Sequence, residues 1–308
     1  MALKVFEFQF QNNTVYKTYC SHLGKSPLNV NSVGEIPFLP IEFFKKYKIV
    51  SSKKKPEAIF ESSGTTSNNT SKHYVADIAL YQKSFLNGFN TFYGLVEDYC
   101  ILALLPSYLE REGSSLVHMV HDLVSKTKHL SSGFYLNNLE NLHDKLLQLK
   151  AERAKVLLIG VSFALLDLAE RFPMNLNDII IMETGGMKGR RKELIRTELH
   201  HILKNAFQVP DIHSEYGMTE LLSQAYSKGN GLFECPPWMK IVTRDTEDPL
   251  ATQPHGKTGG INVIDLANVY SCSFIATQDL GKTYTNGTFE VLGRFDHSDV
   301  RGCNLMAL

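Results

Sequence analysis

Three short apolar runs, at residues 100–105, 155–161 and 178–182, determine the fold class of this chain. Stretches with the apolar spacing of amphipathic helices surround them, at residues 79–96, 114–126, 139–153, 162–171 and 191–205. A strand that is apolar at nearly every position is buried on both faces, which is typical of parallel sheets covered by helices. The alternation therefore predicts an α/β fold, with mixed or parallel sheets covered by helices.

The pattern changes after about residue 230. Four short strand-like pieces follow, separated by Gly, Pro, Asn and Asp and by no helical stretch, at residues 238–243, 260–266, 273–277 and 288–293. This texture predicts a small β-rich subdomain. We therefore expect an α/β body over residues 1–232, a β-rich subdomain over 233–295 and a tail over 296–308 that carries Cys303.

Composition excludes several classes of protein. The 32 Lys and Arg balance the 32 Asp and Glu, which argues against binding of nucleic acid or anionic membrane through the overall charge. No window reaches the roughly 18 apolar residues of a membrane helix, and the N-terminus lacks the apolar core of a signal peptide. Five scattered cysteines without a CxxC pair fit neither a disulfide framework nor a zinc cluster, so we expect a cytoplasmic protein.

A segment at residues 61–72 has the composition of a phosphate-binding loop. It ends at Lys72 and contains a run of small residues, Ser62, Ser63, Gly64, Thr65 and Thr66. Backbone amides and hydroxyls in such a run can surround phosphate oxygens, and a lysine adds positive charge. The Walker pattern is absent, and an ordinary polar surface loop explains the composition equally well.

A second segment, residues 212–220, places an aromatic ring, a hydroxyl and a carboxylate within five positions. Tyr216 and Gly217 precede Thr219 and Glu220. The ring can stack on a base, the hydroxyl can contact a phosphate, and Mg²⁺ prefers one or two carboxylates together with substrate phosphates. Taken alone, the segment is more simply explained as a loop in which Thr219 caps a helix that starts at Glu220.

Two further segments are weaker signals. Gly185, Gly186 and Met187 closely follow the third apolar run, where open α/β sheets place their ligands, although a plain strand-to-helix turn also needs glycine. Further on, Asp279 could accept hydrogen bonds from sugar hydroxyls and Arg294 could donate them. Singly, each is more often a turn aspartate or a surface arginine.

The order of these segments resembles the adenylate-forming superfamily of acyl-CoA synthetases, peptide-synthetase adenylation domains and luciferases. Residues 62–67 are similar to its phosphate loop, and residues 216–220 match its YGxTE segment. Asp279 stands at its TGD motif and residues 293–296 at its GRxD hinge. The run IPFLPIEFFK at residues 36–45, a phosphate loop without the usual Pro-Lys and the short chain resemble the LuxE-type acyl-protein synthetases within that superfamily.

The resemblance implies the fold of the large N-terminal domain of acyl-adenylate-forming enzymes, without the small C-terminal domain and its catalytic lysine. It also implies ATP and Mg²⁺ as cofactors and a carboxylic, fatty acid as substrate. The phosphate-loop residues would surround the phosphates, and Thr219 would contact the α-phosphate. Glu220 would hold Mg²⁺, and Tyr216 would stack on adenine. Asp279 and Arg294 would bind the ribose. Gly185, Gly186 and Met187 would lie between adenine and the acyl pocket.

The LuxE-type resemblance further implies that the acyl group passes from acyl-AMP to a cysteine near the C-terminus, here Cys303. Lys72 would compensate for the absent lysine, and a reductase or an acyltransferase would be the partner. Two alternatives stay open. One is an acid–CoA ligase resembling phenylacetate–CoA ligases, in which free coenzyme A takes the acyl group. The other is a non-catalytic module that binds nucleotide or docks a partner.

Overall fold

The computed structural model describes residues 1–62, 70–105, 113–135, 138–185 and 194–295. The helices in these ranges are α1 (Ala2–Asn12), α2 (Thr14–His22), α3 (Phe43–Lys46), α4 (Ile78–Tyr93), α5 (Ser115–Lys126), α6 (Leu139–Ala151), α7 (Ser162–Arg171) and α8 (Arg196–Phe207). The strands are β1 (Leu39–Pro40), β2 (Ala58–Glu61), β3 (Lys72–Val75), β4 (Cys100–Leu104), β5 (Gly133–Phe134), β6 (Val156–Val161), β7 (Ile180–Thr184), β8 (His213–Tyr216), β9 (Ala225–Ser227), β10 (Leu232–Glu234), β11 (Met239–Arg244), β12 (Gly259–Asp265), β13 (Phe274–Thr283) and β14 (Phe289–Arg294).

A twelve-stranded mixed sheet forms the centre of the molecule, and β2 and β3 form a separate hairpin. One half of the sheet is parallel, in the order β5-β4-β6-β7-β8. The other half continues from β8 through β9, β10, β14, β13 and β12 to β11 with antiparallel pairing, and β1 adds a short parallel pair to β13. The predicted fold class, a mixed α/β fold with helices covering the sheet, is confirmed.

The parallel half is built from the apolar runs that predicted it. Every residue of β4 and β6 is buried, and the helices that precede these two strands, α4 and α6, have capped N-termini. The Asp77 side chain accepts a hydrogen bond from the Leu80 amide at the start of α4, and Asn138 does the same for Asn141 at the start of α6. Each such cap stabilises a helix by about 1 kcal/mol.

The antiparallel half packs against the N-terminal fifty residues in a core of its own. Phe6 and Tyr16 of α1 and α2 contact Phe274 of β13 through their rings. The buried Gln9 amide donates to the carbonyls of Asn268 and Val269. The strands between residues 233 and 295 thus share one sheet with the parallel half and share a core with the N-terminus. The boundaries at residues 232 and 295 stay a prediction.

Several predicted elements differ in the structure. The segment ending at Tyr216 is a strand, β8, where the sequence suggested a loop. No helix begins at Glu220, so the explanation of Thr219 as a helix cap is wrong. Helix α8 begins at Arg196 rather than at residue 191, and residues 191–193 lie outside the described ranges. Within those ranges, none of the helices has both the length and the apolar character needed to cross a membrane.

Candidate functional site

The hairpin of β2 and β3 holds the ends of the predicted phosphate loop together. Glu61 and Lys72 are paired in its register. Beyond them, the Ser62 amide donates to the Ser71 carbonyl at 3.1 Å, and the Ser71 amide donates to Ser62 Oγ at 2.9 Å. Four of the predicted phosphate ligands lie outside the described residues, namely Ser63, Gly64, Thr65 and Thr66. The structure therefore shows the base of the loop.

Lys72 forms an ion pair at this base. Its Nζ lies 3.1 Å from Glu61 Oε1, and about half of each side chain is exposed. An exposed pair of this kind stabilises the fold by less than about 1 kcal/mol. The ammonium group therefore stays available to exchange its carboxylate partner for a more highly charged anion.

The turn at Thr219 and Glu220 lies against the same hairpin. His73 of β3 is completely buried, and its Nδ1 lies 2.8 Å from the Thr219 carbonyl oxygen. Asn268 donates from Nδ2 to the Glu220 carbonyl oxygen at 2.7 Å. Burial lowers the pKa of His73 to about 4. Its hydrogen bonds favour a higher pKa but offset only part of this effect. The imidazole is thus neutral at physiological pH with a single N–H, and the Thr219 carbonyl, the nearer of the two oxygen acceptors beside the ring, accepts it when Nδ1 carries the proton.

The Glu220 carboxyl group is buried at the base of the loop. Burial raises its pKa, while a hydrogen bond from the Ser71 side chain and the positive charges of Arg294 and Lys45 partly offset that effect. Among the residues that the structure describes, no three His, Cys, Asp or Glu side chains cluster as a metal site. A single carboxylate is nevertheless the donor set that Mg²⁺ accepts when phosphates and water complete its shell. Glu220 therefore fits the role of a protein ligand for Mg²⁺.

Gly217 is required by its surroundings. A Cβ atom at this position would lie 2.4 Å from Glu215 Oε1 and 3.4 Å from Gln224 Cγ. Real Cβ atoms do not approach other atoms so closely, and Glu215 is a buried side chain with little freedom to move. The glycine therefore lets the chain turn directly over the Glu215 carboxyl group.

Tyr216, Asp279 and Arg294 come together across three strands. The Tyr216 hydroxyl donates to Asp279 Oδ2 at 2.8 Å, and Arg294 Nε donates to Asp279 Oδ1 at 3.2 Å. Asp279 is buried, but 79% of the Arg294 side chain is exposed, so its guanidinium group also faces solvent. The Tyr216 ring is 8% exposed and packs against two phenylalanines. Its stacking on adenine stays a prediction.

A buried polar cluster at the ends of β7 and β8 was not predicted. Glu183 Oε1 lies 3.3 Å from Arg196 Nε and 3.6 Å from His200 Nε2. Burial opposes ionisation of Glu183, but His200, Arg196 and Ser214 together hold its pKa below the usual range. The available signal was an acidic residue at the end of an apolar strand, which suggests a buried partner.

The neighbouring carboxyl group behaves in the opposite way. Burial raises the pKa of Glu215 to about 7; the hydrogen bond from the Thr184 hydroxyl lowers it, and the charge of Glu183 adds to the rise. Gly185 follows this cluster with φ of +69°, and its carbonyl accepts a hydrogen bond from Ser162. Gly186 and Met187 lie outside the described residues.

The four described cysteines are poor nucleophiles. Burial raises the thiol pKa of Cys20, Cys235 and Cys272 to about 12 and also raises that of Cys100. The thiolate is the reactive form, so none of the four is prepared for acyl transfer. Cys303 lies outside the described residues.

Neither a protein-family model nor a curated protein sequence matches this chain, but solved structures do. ATP-bound MatB from Rhodopseudomonas palustris matches with a TM-score of 0.58 and 18% identity, over 77% of this chain and 48% of MatB. MenE is an O-succinylbenzoate coenzyme A synthetase from Bacillus subtilis, and its structure is bound to ATP and a magnesium ion. It matches with a TM-score of 0.54 and 18% identity, over 77% of this chain and 49% of MenE.

A 2-hydroxyisobutyryl-CoA ligase in an open conformation, bound to 2-HIB-AMP and CoA, matches with a TM-score of 0.69 and 10% identity. That match covers 96% of this chain and 68% of the ligase. The chain thus spans about half the length of the MatB and MenE structures. At these identities the similarity shows the fold, and that fold is the one found in the large N-terminal domain of adenylate-forming enzymes.

Proposed function

We propose that this chain activates a carboxylic acid with ATP and Mg²⁺ and forms an acyl-adenylate. The observation that carries the proposal is the convergence of three segments that are far apart in sequence. The positive charge of Arg294 acts on Glu220 and its Nε bonds Asp279, while the Ser71 side chain bonds Glu220. Residues proposed for the ribose, the metal and the phosphate loop are thus linked to one another through Glu220 and Arg294.

The chemistry needs alignment and charge neutralisation more than covalent help. A carboxylate oxygen attacks the α-phosphorus of ATP, a new P–O bond forms, and the bond to the leaving pyrophosphate breaks. In this proposal Thr219 contacts the α-phosphate, Glu220 would hold Mg²⁺, and Lys72 leaves Glu61 for the phosphates. When bound there, Mg²⁺ would supply positive charge against the phosphates.

The nucleoside is held at the other end of the site. Asp279 accepts hydrogen bonds from the ribose hydroxyls, and the exposed guanidinium of Arg294 donates to them. Adenine lies near Tyr216, and Gly185, Gly186 and Met187 separate it from the acyl pocket. Support comes from MatB, MenE and the 2-hydroxyisobutyryl-CoA ligase, whose structures hold ATP, ATP with a magnesium ion, and an acyl-AMP with CoA, respectively.

Two acceptors are open for the activated acyl group. The first is Cys303, as in LuxE-type acyl-protein synthetases, with a reductase or an acyltransferase then consuming the thioester. It is supported by the raised thiol pKa values of the four other cysteines, which leave Cys303 as the candidate nucleophile. The second is coenzyme A, supported by the CoA-bound ligase.

Carboxylate-dependent ATP–pyrophosphate exchange tests the activation step. We expect exchange with at least one member of a panel that runs from short aromatic to long-chain fatty acids. Glu220→Gln should abolish it, and Glu97→Gln, which removes a carboxylate from a surface ion pair with Lys128, should not. Binding of ATP without exchange for any carboxylate contradicts the proposal and favours a non-catalytic nucleotide-binding module.

Covalent labelling separates the two acceptors. Cys303→Ser should retain exchange and lose acyl labelling from a radioactive acid. Unchanged labelling of that variant rules out Cys303 as the carrier. Release of an acyl-CoA by the wild-type protein, with Cys303 unlabelled, identifies a CoA ligase instead.

A further inference from the structure

His73 occupies a position that the proposed chemistry does not use. It lies on β3, two residues after Ser71, and is 0% exposed. One ring nitrogen faces the Thr219 carbonyl oxygen at 2.8 Å, and the other lies 3.0 Å from Asn268 Oδ1. A neutral imidazole between two oxygen acceptors can donate its single N–H to only one of them, and in this buried site a rotation away from both would leave that N–H without a partner.

The surroundings of the ring hold it in place. The Phe44 ring packs edge-on against it, with centroids 5.8 Å apart. On the far side, Asn268 is completely buried, and its own carbonyl accepts a hydrogen bond from Gln9. The imidazole is therefore clamped between α3, in the IPFLPIEFFK segment, and the residues that follow β12.

The fixed imidazole helps to hold the turn at Thr219 and Glu220 in place. His73 bonds the Thr219 carbonyl, Asn268 bonds the Glu220 carbonyl at 2.7 Å, and the Ser71 side chain bonds the Glu220 carboxyl group. Two successive peptide groups of the turn are thus fixed by side chains from other segments. Since β3 begins directly after Ser71, the same strand sets the distance between the base of the loop and the turn.

We propose that His73 is a positioning residue, which fixes the Thr219 hydroxyl and the Glu220 carboxylate relative to Ser71 at the base of the phosphate loop so that both meet the same nucleotide. The inference rests on the proposed function, because it assumes that loop and turn share one ligand. Misplacement of an aligning group by about an ångström can cost on the order of a hundredfold in rate.

Three substitutions of His73 separate its two contacts. Asparagine puts an amide where Nδ1 lies and retains the bond to Thr219, whereas glutamine puts its amide near Nε2 and retains only the contact with Asn268. Leucine removes both. We expect exchange kcat and Mg²⁺-dependent ATP affinity in the order wild type, Asn, Gln, Leu, with a loss of about tenfold or more in the leucine variant. The KM for the carboxylic acid should change little.

The control is His255→Asn. His255 is an exposed histidine outside the site, whose Nδ1 lies 2.9 Å from Thr283 Oγ1 at the end of β13. It should retain wild-type exchange and ATP affinity. If the leucine variant does not fold, the comparison of the Asn and Gln variants still tests the positioning role. Equal values for these two, or ATP affinity in all variants equal to wild type, overturn the positioning role.

The readouts also separate this inference from the proposed function. A wild-type protein that binds Mg²⁺ and ATP but shows no exchange contradicts acyl activation, while calorimetric ATP affinity in the variants still tests His73. A graded loss of that affinity supports positioning. A loss that only follows the fall in melting temperature, in the control as in the variants, contradicts it.

Discussion

The Tyr216 hydroxyl donates a hydrogen bond to Asp279 Oδ2 at 2.8 Å and joins the last strand of the parallel half to the antiparallel half. The two residues are 63 positions apart and belong to motifs that the sequence suggested separately. Both groups are buried, so loss of this bond leaves each with one hydrogen-bond partner fewer in a site with little water to replace it. The bond also orients the carboxylate that faces Arg294.

Replacing Tyr216 by phenylalanine tests that orientation. Asp279 then loses its shortest partner, and a buried carboxylate without it costs about 1–3 kcal/mol. We expect a lower free energy of unfolding in urea and a higher KM for ATP in pyrophosphate exchange. Tyr99→Phe is the control, since Tyr99 is also buried and donates to the Tyr93 carbonyl at 2.8 Å. Equal KM values for ATP in the two variants contradict a role of this bond in nucleotide binding.

The ion pair of Lys72 and Glu61 gives two variants with opposite expected effects. Lys72→Met removes the ammonium group, so the KM for ATP should rise about tenfold, which corresponds to about 1.4 kcal/mol. Glu61→Gln removes its competing carboxylate, so the KM should stay or fall. Because the pair is half exposed, neither change should alter the free energy of unfolding by more than about 1 kcal/mol. A rise in KM of the same size in both variants points to a role of the pair in the hairpin alone.

Gly217→Ala should disturb the site by steric overlap. The added methyl group would lie 2.4 Å from Glu215 Oε1, so the buried side chain or the turn must move. Overpacking of this kind costs about 1–3 kcal/mol, and exchange activity should fall because the turn carries Thr219. Gly34→Ala is the control, since a Cβ atom there meets nothing within 4 Å. The prediction is wrong if both variants have wild-type melting temperatures and exchange rates.

Stability should depend on pH through Glu215. Its pKa is about 7 in the fold, against an ordinary value of 4.5 in the unfolded chain. Between about pH 4.5 and pH 7, Glu215 is therefore mostly ionised in the unfolded chain but mostly protonated in the folded protein. The free energy of unfolding therefore falls as pH rises from about 4.5 to 7 and stays lower above that. Glu215→Gln, which is neutral throughout, should be more stable than wild type at pH 8 and lose that advantage at pH 4.

Glu183→Gln provides the comparison of opposite sign. The pKa of Glu183 is held low despite its burial, so its charge stabilises the fold above the ordinary range and that contribution is lost as pH falls. The variant should be less stable than wild type at pH 8, because Arg196 and His200 lose their partner. Thermal unfolding at the two pH values measures both variants. The same pH dependence in the two contradicts the assignment of these carboxyl groups.

The parallel half was predictable because its strands are buried on both faces. The apolar runs at residues 100–105 and 155–161 match β4 and β6 to within a residue. Strand β8 escaped prediction because His213, Ser214 and Glu215 are polar. Their burial depends on partners from β7, α4 and α8, such as the Thr184 hydroxyl and the Tyr93 hydroxyl, and hydropathy carries no information about such partners.

The site was predictable as a set of residue types but not as a set of contacts. Motif order singled out Tyr216, Asp279 and Arg294, which the structure brings together. It gave no sign of His73, because a lone histidine in a short strand looks like an ordinary core residue. Its role depends on the Thr219 carbonyl, 146 positions away, and only the folded chain shows that proximity.

The pairing of the N-terminal helices with the antiparallel strands has a consequence for synthesis in the cell. The Gln9 side chain bonds Ser273, 264 positions further on, and β1 pairs with Ile275 and Ala276. A ribosome must therefore release β13 before α1 and α2 find the surface that covers their aromatic rings. During that interval Phe6 and Tyr16 are without Phe274. Nascent chains of this protein thus expose an apolar N-terminal segment, the kind of surface that chaperones bind and that aggregates when synthesis stalls.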